Sequence, residues 1–555
     1  MDENSALCRF RPALGSLLRK KLRRRAGGCA ISRFWQHHGS RACSSSGTAL
    51  LVAPHFSSRQ SKSPTPRAAF AQSHTTRLYV LAVSSVGHQD CLIATFSWCG
   101  LLPVRWPSRS WSMPFAAPGN LDPLQRAPAL KTGADNAYKR GDFRRAAKLY
   151  SEALALLPDN AKLLSNRSAC YAQLKQWSDA LHDARAALAA DPAWPRAWCR
   201  VAAALHGSGD AEAAYMLCAD ALVNRKAVSG VHEITAARNA ALEAFIAGET
   251  AACRRRDART KTHRHAKRPA SDVRVFVTSD IHVDTNGNLD AWCKRFSSTA
   301  FAEDVLIVAG DVGDTLNAVK QGLKALRSKF ARVFFVPGNH DLWVRPGLED
   351  ASCVDSICKL FQLFAACDAL DVDVAPAVVA QGITIAPLLS WYDCTFDDGD
   401  PYPGRLLYDK FASFPCGGNN AWQLMLRCNE RHVAALQASG ATQVISCSHF
   451  LPRAELPCSM GVPELRKNVG CKHLDLQVQR IRADVHVYGH THINLDGKCG
   501  LQYQRESGGL LAPIGKPNDT RYVQSSLEGG ARGVLCVMDR GLSSGRIYDL
   551  DGRPA

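Results

Sequence analysis

The sequence predicts two folded parts in tandem: an all-α solenoid of paired helices, then an α/β domain built on buried strands. Between residues 129 and 227, small residues and prolines recur with a period of 34, a spacing typical of helix–turn–helix repeats. From residue 272 onward, short runs of Val, Ile and Phe each lead into a motif of Asp, Asn or His. That is the pattern of strands buried on both faces, with a polar site at their carboxyl ends. A chain of 555 residues is also too long for one hydrophobic core.

Residues 1–125 read as a disordered or targeting-like basic tail. Residues 1–120 hold 16 Lys or Arg against Asp2, Glu3 and Asp90, a balance of +13. An Arg- and Ser-rich, acid-poor composition is shared by disordered tails and organelle-import segments. The expected compartment is the cytoplasm, with organelle import the alternative. Cys91–Val104 is apolar but too short to span a bilayer, so no membrane association is expected. The 21 cysteines are scattered without paired C-x-x-C motifs, which fits a reducing compartment. The net charge of +18 is confined to two tracts: Arg254–Arg268 adds +7, and the rest of the chain is near −2. A cationic nucleic-acid surface on the folded parts is therefore excluded.

Residues 126–250 form the repeat part. Ala146, Ala180 and Ala214 are in register, as are Ala153, Ala187 and Ala221, and Pro158 and Pro192; Leu130, Leu164 and Trp198 open successive repeats. Small residues let paired helices approach, and the prolines end each second helix. The segment resembles three tetratricopeptide repeats, with its best match from Tyr150 through Ala169. The resemblance implies a concave groove for a protein partner. It is similar to the carboxylate-clamp subclass, which binds acidic carboxyl-terminal tails of chaperones, at Lys131, Asn166, Arg196 and Arg200. Asp135 departs from that pattern, because the clamp has Asn there and an acid repels a carboxylate. Residues 251–271 follow as a solvated basic linker.

Five motifs then occur in order: Asp280-x-His282, Gly310-Asp311-x-x-Asp314, Gly338-Asn339-His340-Asp341, Ser448-His449 and Gly489-His490-Thr491-His492. The runs leading into them, Val273–Thr278, Val305–Ala309, Val333–Val336, Val444–Ser446 and Val485–Tyr488, read as strands. Helical stretches such as Asn317–Lys329 and Val433–Ser439 alternate with them. All the donors are oxygen or imidazole nitrogen, which suit Mn, Fe, Zn or Mg; no thiolate marks a structural zinc site. Single matches are uninformative, since Asp484-x-His486 and Ser73-His74 repeat two of the forms. His486 alternates with Tyr488 along a strand and reads as packing.

Across residues 272–550 this ordered set resembles the calcineurin-like metallophosphoesterase superfamily. The resemblance implies a four-layer α/β/β/α sandwich and two divalent metal ions. Asp280, His282 and His492 would hold one ion, Asn339, His449 and His490 the other, and Asp311 would bridge them. His340 would be the catalytic residue facing the scissile phosphate. Asp341, the second catalytic assignment, would stand behind it to fix its tautomer. The implied reaction is in-line hydrolysis of a phosphate mono- or diester by a hydroxide held between the metals. Asp314 reads as the cap of a helix starting near Thr315. Asp314-Thr315 and Asp341 depart from the phosphoprotein-phosphatase branch, which leaves the substrate open. The alternative from another class is an adaptor whose phosphoesterase fold is only a scaffold. Trp391 and Tyr392 read as core packing or as a stack for the leaving group, and Lys498–Thr520 as a surface loop.

Overall fold

The repeat helices begin where side chains can cap them. In the computed structural model, α1 spans Pro123–Lys139, α2 Phe143–Leu156, α3 Ala161–Gln173, α4 Trp177–Ala190, α5 Pro195–Gly207 and α6 Ala211–Val223. Asp142, Asn160 and Asp210 cap α2, α3 and α6, accepting from the N–H of Arg145, Leu163 and Ala213. The structure describes residues 123–224, 230–262, 267–285, 287–349, 353–396, 409–458, 463–498, 520–526 and 533–555. The readings of residues 1–122, and of most of Lys498–Thr520, fall outside them.

Consecutive helices pack against one another. The six alanines in register, at 146, 153, 180, 187, 214 and 221, are at most 1% exposed. α2 and α4 stop at Leu156 and Ala190, two residues before Pro158 and Pro192, as the proline spacing predicts. A seventh helix, α7 (Val231–Ile246), closes the stack against α5 and α6.

The basic linker is corrected by the structure. Ala251–Thr262 is a helix, α8, and Arg256 within it is 4% exposed. Its guanidinium lies 3.0 Å from Glu212 of α6 and 2.9 Å from Asp368. Two carboxylates from different elements neutralise this cation, so burial is tolerated where a lone arginine would stay in water.

Two sheets form the second part. The first has the order β11-β10-β1-β2-β3, and the second β4-β5-β6-β7-β9-β8. In the first, β1 (Arg274–Thr278), β2 (Val305–Ala309) and β3 (Arg332–Val336) are parallel, and β10 (Val534–Asp539) and β11 (Leu542–Tyr548) continue it antiparallel. In the second, β5 (Ile383–Pro387), β6 (Gln443–Cys447), β7 (Val485–Val487) and β9 (Arg521–Gln524) are parallel. The edges β4 (Ala377–Ala380) and β8 (Leu495–Lys498) are antiparallel. Alternate residues of the two sheets, including Val275, Ile307, Phe334, Ile385, Ile445 and Val487, share one core. Helices α9 (Leu316–Arg327) and α10 (Ser356–Leu370) cover the outer face of the first sheet. Helices α11 (Ala421–Ala438) and α12 (Lys472–Arg480) cover that of the second. The four layers are α/β/β/α.

The described residues lie within one compact unit, Ser110–Ala555. Tyr215 of α6 donates to Asp355 at the start of α10 (2.9 Å), and Phe245 of α7 meets Phe361 of α10 edge-on with centroids 4.8 Å apart. Among the described residues no helix is long and apolar enough to cross a membrane, and no cysteine is disulfide-bonded.

Arg256→Met leaves the buried Glu212 carboxylate uncompensated, and should lower unfolding free energy by about 3–5 kcal/mol. Urea denaturation monitored by circular dichroism checks this; a loss under about 1 kcal/mol would mean that α8 is an accessory to the fold.

Candidate metal centre

Five strand ends deliver the donors, and they come from both sheets. β1, β2 and β3 of the first sheet run into Asp280, Asp311 and Asn339; β6 and β7 of the second run into His449 and the pair His490 and His492. The donors turn inward because the loops leave the strands sharply. Asp280, His282, Asp311, His490 and His492 all have positive φ, from 44° to 75°. Each such non-glycine residue stores of order 1–3 kcal/mol of strain. Small residues make room beside them. A Cβ at Gly310 would sit 2.4 Å from the His449 ring, and one at Gly338 would sit 2.1 Å from the Asp311 carboxylate.

The ligating atoms of Asp280, His282 and His492 lie within 4.8 Å of one another, as do those of Asp311, His449 and His490. Asn339 joins the second group: its Oδ1 is 3.0 Å from His449 Nε2 and 3.1 Å from His490 Nδ1. Asp311 Oδ2 is 3.4 Å from His449 Nε2. His282 also falls in a set with Asp311 and His340, which places Asp311 between the two groups. The structure thus brings together all seven predicted metal ligands.

Backbone and second partners orient these rings. His449 Nδ1 donates to the Ala309 carbonyl at 2.9 Å, so Nε2 is the atom offered to a ligand. Asn339 Nδ2 donates to Asp409 at 3.1 Å, which turns its oxygen toward the imidazoles. His486 is held between Ser446 and Ser448 Oγ at 2.8 and 3.0 Å, and burial pushes its pKa down to about 3. It supports the His449 loop and is not among the donors.

Protonation follows from the crowding. Burial works to raise the Asp311 pKa, but the neighbouring imidazoles of His449, His340 and His282 hold it well below the usual range. Burial works to lower that of His449, and Asp311 outweighs it, raising it to about 9. Burial and the adjacent His449 push His490 down to about 3, and its Nε2 is buried without a hydrogen-bond partner. An orphaned imidazole nitrogen, an anionic carboxylate and a set made only of N and O donors fit divalent cations.

The role expected of Asp341 is corrected. Its buried carboxylate accepts from the backbone N–H of Asp311 (2.8 Å), Val312 (2.9 Å), Gly313 (3.1 Å) and Gly338 (2.8 Å). The His340–Leu342 segment is a 3₁₀ turn, so these adjacent side chains diverge. The partner of His340 Nδ1 is Asp314 Oδ1 at 2.7 Å. Asp314 does not cap the helix; Thr315 does, accepting from Ala318 N–H at 3.2 Å. That Thr315 is itself a favoured cap residue was the sequence signal that left Asp314 free. Burial opposes, but the Asp314 bond raises the His340 pKa. The His340 ring packs against Trp343, tilted by 35° with centroids 3.7 Å apart. Asp409 and Trp343 carried no motif. Trp391 and Tyr392 pack against Phe450 in the core, so the packing reading holds for both.

In the repeat groove, Asp135, Tyr138, Lys139, Tyr150, Asn166, Ala169 and Arg200 line one pocket. Arg196 is not among them; it lies 6.0 Å over the Trp194 ring. Lys131 is turned onto Asp135 at 2.6 Å, and Tyr150 also bonds Asp135.

A model of the calcineurin-like phosphoesterase family matches residues 273–494. The acyl-carrier-protein phosphodiesterase PptH of Mycobacterium tuberculosis is 28% identical over 244 residues, 40% of this chain and 72% of that protein. Its crystal structure aligns with 46% of this chain and 90% of its own, at 20% identity and a TM-score of 0.37. The heat shock protein sti1 homolog of Schizosaccharomyces pombe is 36% identical over 119 residues, and the chain spans only 20% of its length. The Hsp70-Hsp90 organizing protein of Triticum aestivum is 41% identical over 88 residues, of which the chain spans 15%. Residues 273–494 of this chain are thus similar to calcineurin-like phosphoesterases, and the helical part before them is similar to the Sti1 relatives and, at 45% identity over 85 residues, to the human tetratricopeptide repeat protein 28.

Proposed function

We propose that the chain is a metal-dependent phosphoesterase that hydrolyses a phosphate mono- or diester, with repeats that recruit a protein partner. The observation that carries this reading is a pair of donor groups meeting at Asp311, with the His340–Asp314 pair at their rim. Asp280, His282 and His492 would hold one cation, Asn339, His449 and His490 the other, and Asp311 both. When bound, the cations supply positive charge for phosphoryl oxygens and lower the pKa of water toward neutrality. The chain's own residues do the rest. Asp311, anionic and buried, draws cations into the site. His340, with Nδ1 committed to Asp314, has only Nε2 to present to the scissile bond. A proton held there passes to the leaving oxygen, and Asp314 stabilises the imidazolium before transfer. The complete donor set argues against the adaptor reading. Similarity to PptH supports a phosphodiester on a carrier protein as one substrate class.

The groove reading is weakened by Asp135, which pairs with Lys131 and puts an acid into the pocket beside Asn166 and Arg200. Arg200 remains as a donor to an acidic tail, whereas the Asn166 amide already donates to Asp135 at 3.5 Å.

Asp311→Asn should reduce turnover by about 100-fold or more, because both donor groups lose an anionic ligand. Hydrolysis of an aryl phosphate, an aryl phosphodiester and a phosphopantetheinylated acyl carrier protein is measured after chelation and after Mn repletion. Wild-type rates indifferent to the chelator would refute metal dependence.

His340→Ala should keep its metals and lose about 100-fold in kcat on alkyl esters, with a smaller loss on nitrophenyl esters, since a proton donor matters most for basic leaving groups. An equal loss across leaving groups would remove His340 from that role.

A peptide with an acidic end and a free carboxylate should bind the groove, and its amide should not. Arg200→Ala should weaken binding by about 1.5–3 kcal/mol, and Asp135→Asn should tighten it. Calorimetry at moderate salt, where loose surface attraction is screened, decides; indifference to both amidation and Asp135→Asn would assign the groove another ligand.

A further inference from the structure

Lys359 lies on α10 with its side chain wholly buried. Its neighbours on the helix, Ile357, Cys358, Leu360, Phe361 and Leu363, are also buried. An apolar side chain would satisfy packing there. A buried ammonium is costly unless its protons are bonded. Lys359 donates to the Trp343 carbonyl at 2.8 Å, to the Asp314 carbonyl at 3.2 Å and to the Glu349 carboxylate, itself 5% exposed.

Those two carbonyls flank the proposed proton donor. Asp314 accepts from His340 Nδ1, and Trp343 packs against the His340 ring. They sit on different segments, one following β2 and one following β3. The second Asp314 oxygen pairs with Arg345, whose guanidinium lies over the Trp343 ring at 5.0 Å. A backbone tether on the core side fixes the two segments from which Asp314 and Trp343 reach His340.

We infer that Lys359 is a positioning residue, whose bonds to the Asp314 and Trp343 carbonyls hold His340 and Asp314 in register. This rests on the phosphoesterase reading for its consequence, but the register itself can be measured without turnover.

The test compares wild type, Glu349→Gln and the double variant Lys359→Met/Glu349→Met, which removes the pair without stranding a buried charge. In metal-free protein labelled with ¹⁵N-histidine, the His340 Nδ1 proton is assigned by its loss in His340→Gln. Wild type and Glu349→Gln should both show this proton slowed in exchange, and the double variant should exchange it at least about tenfold faster. In Mn-loaded protein the double variant should lose about 10–100-fold in kcat on an alkyl ester and far less on a nitrophenyl ester, with KM unchanged. If circular dichroism shows the double variant unfolded, Lys359→Gln takes its place with the same expected direction. Retention of the slow proton in the lysine variant overturns the inference. So does an equal effect from Glu349→Gln, which would trace it to the ion pair and not to the carbonyl bonds. Wild type inactive on every ester would refute the phosphoesterase reading, while the proton measurement would still decide the register.

Discussion

The buried carboxylate of Asp341 accepts four backbone N–H groups, and the site's geometry hangs on it. Three belong to the loop after β2 and one to the loop after β3. Asp311, Asn339 and His340 are therefore fixed relative to one another before any cation arrives. Burial and the nearby Asp311 charge raise the Asp341 pKa to about 6, against the pull of those N–H groups. Lost backbone bonds would release loops whose ligands already sit at strained, positive φ. The same clamp exposes the His340 N–H to Asp311 at 3.0 Å, so the Asp311 carboxylate is itself oriented by the turn that carries His340.

The second dependence is between the two parts of the chain. α10 and its cap Asp355 are bonded or packed to α6, α7 and α8 through Asp355, Phe361 and Asp368, and Lys359 of the same helix is directed to the carbonyls of Asp314 and Trp343. One helix is shared by the repeat stack and the site. The repeats are built into the catalytic part rather than tethered to it.

Much of this was legible in the sequence because it was local. The strands leading to each motif appear within a residue or two of the expected bounds, and the period of 34 gave the fully buried alanines. What sequence could not supply was direction. Asp341 follows His340 in the chain, yet a 3₁₀ turn sends the two apart, and Asp314, 26 positions earlier, takes the imidazole. Residues 251–271 look solvated by composition, but Glu212 and Asp368 come from distant elements to bury Arg256. Lys359 carries no motif, and only the fold surrounds it with Glu349 and two carbonyls. Each miss is a long-range electrostatic pairing, which no local period encodes.

The most direct test of the central claim is anomalous diffraction from crystals grown with Mn. The account predicts two peaks on either side of Asp311, one against Asp280, His282 and His492 and the other against Asn339, His449 and His490. A single peak, or peaks away from Asp311, would contradict it.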